Sequence, residues 1–186
     1  MGAAKESNEA IKIVLFSMGA AVAYGLIHDQ VTAHLCVEYF SIAHPPVFAT
    51  SSPFLLALGW GVIATWWVGL PLGLGLAAAA RIGPAPRLGF LELRSAVVKL
   101  MIASAIAAII SGLLGAFLVA TGRAQVPGGW GTIIPPAKQV AFSADAWAHL
   151  ASYGFGILGG LFLIGHTIWR RVGRPSRRLR TDAPFG

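Results

Sequence analysis

The chain has 186 residues, 56% of them hydrophobic and only 11% charged, with a mean hydropathy of +0.71. A water-soluble domain carries roughly 25% charged residues, so the composition excludes an ordinary soluble fold and points to a chain solvated by lipid. The net charge of +7 does not indicate nucleic acid, because Lys and Arg collect in loops and at the C-terminal end instead of forming a stripe interleaved with aromatics.

Residues 1–12 are polar, with Lys5, Glu6, Glu9 and Lys12. From Ile13 the chain stays apolar for about 20 residues, the length a bilayer core demands, and a first span is expected over 13–34. Ala21-Val22-Ala23 matches a signal-peptide cleavage pattern, but the apolar run continues past Tyr24 and favours an uncleaved helix. A second span is expected over 53–80, with Trp60, Trp66 and Trp67 packed inside it and a kink at Pro71. Gly69 and Gly73, four apart, allow a neighbouring helix to come close. The third span, 96–120, carries a similar small pair at Gly112 and Ala116. Residues 123–142 hold Pro127, Gly128, Gly129, Pro135 and Pro136, a composition that turns. Ser143 then reads as a helix cap, and the fourth span, 144–169, has Gly154, Gly156, Gly159 and Gly160 on a face suited to tight packing. A basic, disordered tail is expected over 170–186.

The expected architecture is therefore all-α, a four-transmembrane-helix bundle in one domain. Twelve of the fourteen Lys and Arg residues fall at the N-terminus, in the connector 81–99 and in the tail, against Arg123 and Lys138 on the other side. The positive-inside rule then places both termini in the cytoplasm, in the inner membrane of a bacterium, and the stretch 27–46 at the outer, periplasmic face.

That stretch concentrates the chemistry: His28, Asp29, Gln30, His34, Cys36, Glu38 and His44 lie within it. If the first helix continues to Pro45, then Gln30, His34 and Glu38 share a face at i, i+4, i+8 spacing. Counting about 20 residues back from Trp169 brings His149 to the same level as His34, with Asp145 one turn further out. His34, Glu38, Asp145 and His149 are thus the expected metal ligands, with His28 and Gln30 as additional ones. Such a nitrogen and oxygen set suits zinc, iron, manganese or copper. Asp29, Glu38 and Asp145 are the candidates for acid–base work, Asp29 also as an orienter of a ligand. Simple solvation of these groups at the headgroups is the plainer alternative. Cys36, alone, reads as packing, and His44 as a turn residue. A haem fits poorly, since His149 and His166 are about 25 Å apart along one helix and carboxylates near an outer haem would have no purpose.

The block H-D-Q-V-T-A-H-L-C-V-E-Y-F, His28 to Phe40, resembles one found in uncharacterised bacterial integral membrane proteins, together with the following H-P-P and the S-A-D-A-W-A-H-L of the fourth span. The resemblance implies membrane location and no particular activity. Function is expected to be that of a metal-dependent enzyme acting on a lipid or other amphiphile. The alternatives are a metal-binding or transport module, and a non-catalytic small subunit or scaffold of a membrane complex. The partners are the bilayer and, beyond it, other membrane subunits or a second copy.

Overall fold

The structure, a computed structural model, describes residues 2–173. It is helical throughout, with α1 (Gly2–Leu35), the short α2 (Val37–Ser41), α3 (Pro53–Ile63), α4 (Trp66–Arg81), α5 (Phe90–Ala120) and α6 (Gln139–Val172). Two 3-10 turns, Pro127–Thr132 and Pro136–Lys138, lead into α6. Four segments are long and apolar enough to cross a bilayer: Ser7–Leu35, Pro53–Arg81, Phe90–Ala120 and Pro136–Val172. The protein is an integral membrane protein built as a four-span helix bundle.

Each span follows from its composition. Only 22–28% of each apolar window is buried inside the bundle; the exposed positions include Ile, Leu, Val, Phe and Trp, such as Ile27, Val31, Ile109, Leu113, Leu158 and Phe162. In water that surface would be untenable, whereas lipid tails solvate it. The buried positions are correspondingly small. On α1 they form a row, Ile13, Ser17, Ala21, Gly25, Asp29 and Ala33, repeating every fourth residue. Against this row pack α3 and α4, and the fit needs the expected glycine pair. A Cβ on Gly69 would stand 2.7 Å from Met18 Cα, and one on Gly73 2.7 Å from Val14 Cα.

The helices sit in a ring. α1 packs chiefly on α3–α4 and α6 chiefly on α5; α1–α5 and α4–α6 contacts close the ring, and α1 and α6 face each other across the diagonal with little direct contact. At one end Ile13, Leu76, Leu88, Leu93 and Val97 form the main apolar core. At the other, where α1 finishes and α6 begins, two smaller clusters around Phe40 and Phe142 enclose the polar residues.

Several local expectations are corrected. The second span breaks at Ala64–Thr65, between α3 and α4, and α4 continues through Pro71. Thr65 Oγ1 donates to Gly61 O, so a side chain competes with the backbone ladder at the break. Trp66 and Trp67 are about half exposed, Trp67 stacking on Tyr153 of α6, and Trp60 packs inward, on Phe48 and His44. Ser143 caps nothing: α6 has already begun at Gln139, and the buried Ser143 hydroxyl donates to Gln139 O. Of the four α6 glycines expected to pack, Gly159 and Gly160 meet Leu100 and Leu72, whereas Gly154 and Gly156 have no neighbour within 4 Å of where a Cβ would stand. Arg170 and Arg171, assigned to the tail, belong to α6; Arg174, Arg177, Arg178 and Arg180 lie outside the described residues.

Candidate metal centre

The buried row of α1 ends in a carboxylate. Asp29 is 4% exposed, and across the ring its Oδ1 lies 3.3 Å from Nε2 of His149, itself 8% exposed. His28 stands next to them, its ring edge-on to that of His149 with centroids 4.6 Å apart. One ligand atom from each of His28, Asp29 and His149 falls within 4.8 Å of the other two, and among the described residues these three are the group that can hold a metal ion.

The protonation pattern of His149 is fixed by its neighbour. Its Nδ1 is 2.8 Å from the Asp145 carbonyl, an acceptor only, so Nδ1 carries hydrogen and donates. In a neutral imidazole that leaves a lone pair on Nε2, pointing at the Asp29 carboxylate. Two acceptors at 3.3 Å in a dry setting repel unless a proton or a cation lies between them. The same donation from Nδ1 to a backbone carbonyl is what orients ligating histidines at metal centres. His28 adds a further unanswered group, a buried Nε2 with no hydrogen-bond partner. A cavity of about 50 Å³ adjoins all three residues and is also lined by Tyr24, Ser104 and Tyr153. Its volume exceeds the roughly 10–15 Å³ that one small guest needs.

The neighbouring elements seal this centre. α2 lays Tyr39 flat on His149, centroids 4.4 Å apart, and Phe40 edge-on at 5.7 Å. His44, expected to serve only the turn, folds back beneath α2: its Nδ1 donates to Tyr39 O at 2.8 Å and its ring packs on Tyr39, Phe40 and Trp60. Burial holds the His44 imidazole below the usual histidine value, the Tyr39 carbonyl opposing this, and burial likewise pushes the Tyr39 phenol up. On the membrane side, Tyr24 and Ser152 hydroxyls meet at 2.5 Å and tie α1 to α6 below the histidines.

The residues expected from sequence are distributed differently. His149 is in the centre, with His28 and Asp29 in place of His34 and Glu38. His34 is exposed, one position past the buried Ala33, and its Nδ1 donates to Gln30 O. Gln30 donates to Phe54 O at the start of α3. Glu38 misses because the helix does not run on to Pro45. It stops at Leu35, Cys36 is extended (φ −147°, ψ 91°), and α2 starts in a new direction. Glu38 instead pairs with Lys138 at 3.3 Å and accepts from the Cys36 thiol at 3.4 Å. Burial raises the Glu38 carboxyl, but its own backbone N–H, Cys36 and Lys138 outweigh it and leave it below the ordinary value. Burial and the bond to Glu38 push the Cys36 thiol up to about 11, so it stays protonated and is no thiolate ligand. Asp145 is fully buried, yet neither carboxyl oxygen has a partner. His166 rests between Phe162 and Trp169, far along α6.

Compared with protein-family models, with curated proteins and with solved structures, the chain matches none. The geometry alone therefore carries the functional reading. A sequence signal for it did exist: Asp29 continues the four-residue row of small buried side chains on α1, a row to which His34 does not belong.

Proposed function

We propose that His28, Asp29 and His149 hold a divalent transition metal, and that the protein is a metal-dependent membrane enzyme acting on a lipid or other amphiphile. The observation that carries the reading is the meeting of three ligand atoms within 4.8 Å, buried in a bundle whose remaining surface is apolar. Ionisable groups at membrane depth are costly and face a partner or a cavity, and an ion answers both the Asp29–His149 contact and the orphaned His28 nitrogen. Two imidazoles and one carboxylate suit zinc, iron, manganese or copper. Three protein ligands leave a coordination position open, which favours catalysis over a purely structural ion. When bound, such an ion polarises a substrate group or activates water.

The chain's own residues then have separable tasks. The Asp145 carbonyl fixes the tautomer of His149, and its unpartnered carboxyl group is placed to take or give a proton. Tyr39 and Phe40 exclude water from above. The uneven Lys and Arg distribution supports cytoplasmic termini and, with them, a centre near the opposite, periplasmic face of a bacterial inner membrane.

Metal analysis of detergent-purified protein tests the assignment. Wild type loaded with zinc, iron, manganese or copper should retain about one equivalent of one of them, since ligands are lost only in variants that remove a donor. His149→Ala and Asp29→Ala should lose it, and His34→Ala should keep it. A wild type that retains none of the four metals, or loss confined to His34→Ala, would overturn the reading.

A further inference from the structure

A second cavity, about 690 Å³, runs between α1, α5 and α6. It lies where α1 and α6 stand on the diagonal of the ring, and the small side chains of Ala20, Ala23, Ala105 and Ala108 leave it unfilled. Its lining on α1 extends from Phe16 to Leu35, about 28 Å along the helix at the usual rise. An opening of that length and volume accommodates one extended chain. Its wall is apolar except along the outer half, where Tyr24, His28, Thr32 and Asp145 lie. Tyr24 and Thr32 are hydrogen-bonded within the protein. The two Asp145 oxygens and His28 Nε2 are not, although all three atoms are buried. Buried polar atoms of this kind are rarely left without a partner.

We propose that this groove binds an amphiphile with one extended apolar chain and a head that donates hydrogen bonds, a hydroxyl or a primary ammonium, to the Asp145 carboxyl group. The proposal deepens the preceding reading, because His28 lines both this groove and the small cavity at the metal centre and so links the bound head to it. Binding itself needs no ion. The closed face formed by α2 leaves the lipid side as the route of entry, which an amphiphile already dissolved in the bilayer can use.

Equilibrium binding of labelled hexadecanol, hexadecylamine and hexadecyl methyl ether to purified protein, each with and without a chelator, tests it. The same chain with a donating head should bind saturably and about tenfold more tightly than the ether, the worth of one hydrogen bond. The tighter of the alcohol and the amine identifies the head. Asp145→Leu should still take up the chain but lose the preference. Ala105→Trp should abolish uptake, as should Ala23→Trp, whose side chain lies on the exposed face and leaves the interior undisturbed. Retention of binding in chelator separates this site from the ion, since failure of the metal reading leaves it intact. No saturable uptake by wild type, equal affinity for the ether, or undiminished binding in both tryptophan variants would each sink the proposal. So would a dimer that takes up no chain and dissociates in Ile109→Lys, which assigns the groove to a second copy.

Discussion

His44 and His149 are oriented by the same device, a ring nitrogen donating to a backbone carbonyl, but only His149 meets a carboxylate. His44 is instead enclosed by Tyr39, Phe40 and Trp60, and its proton affinity is lowered first by burial and then by His149, against the Tyr39 carbonyl and Asp29. The sign of the pH effect follows. A histidine freed from the fold titrates near 6.5; between that value and the lower one in the fold, the open loop binds a proton that the closed loop does not. Closure is therefore fully stable above about pH 6.5 and weakens as pH falls through that window. Trp60 fluorescence, taken as the difference between wild type and His44→Gln, should change with a midpoint below 6.5, and a midpoint above it would contradict the packing described. The sequence showed that His28 to His44 carries the chemistry, but not which members meet. That choice depended on the rotation of α1, set by the packing of Gly69 and Gly73, and on the break at Cys36, for which no Gly or Pro gives a local signal.

The elements themselves were far more legible than the site, because a bilayer imposes one length and one polarity on every span. Residues 13–34, 53–80, 96–120 and 144–169 each fall within a helical segment of the structure. What hydropathy could not supply was where the interior of a span yields, since both halves of the α3–α4 break are equally apolar. Nor could it supply which glycines are contacts. Gly69 and Gly73 were read correctly from their spacing; Gly154 and Gly156 were not, because lipid and a neighbouring helix impose similar demands on an apolar face. The distinction has a measurable consequence. Gly73→Ala drives a Cβ into the α1 backbone at Val14, where nothing flexible can yield, and should cost about 1–3 kcal/mol. Gly19→Ala, with nothing within 4 Å, should be neutral or gain up to about 1 kcal/mol from helix propensity. Unfolding in mixed detergent micelles with increasing denaturing detergent compares the two. Equal stabilities would mean that α1 and α4 are not in the close contact described.

Across the whole molecule, the two ends of the bundle are held by different chemistry. The histidine end relies on aromatic stacking and the Glu38–Lys138 pair. The opposite end relies on Arg171, only 4% exposed, which donates from Nε to Pro86 O, from Nη1 to Ala79 O and Ile82 O, and from Nη2 to Ala85 O. A planar guanidinium satisfies four carbonyls that include the unanswered ones at the end of α4, and its charge suits the negative pole of that helix. Arg171→Lys keeps the charge but not the fork, so stability should fall by about 2 kcal/mol, the worth of one to two charge-assisted bonds left unmade. Arg170→Lys should change it by less than about 0.5 kcal/mol. Metal content should stay at the wild-type level in the folded fraction, because the Tyr24–Ser152 bond and the Tyr39 ring fix His149 against Asp29 locally, about 33 Å away along α6. An Arg171→Lys protein as stable as wild type would mean that the carbonyls of the connector find other partners and that α6 is positioned from the histidine end alone.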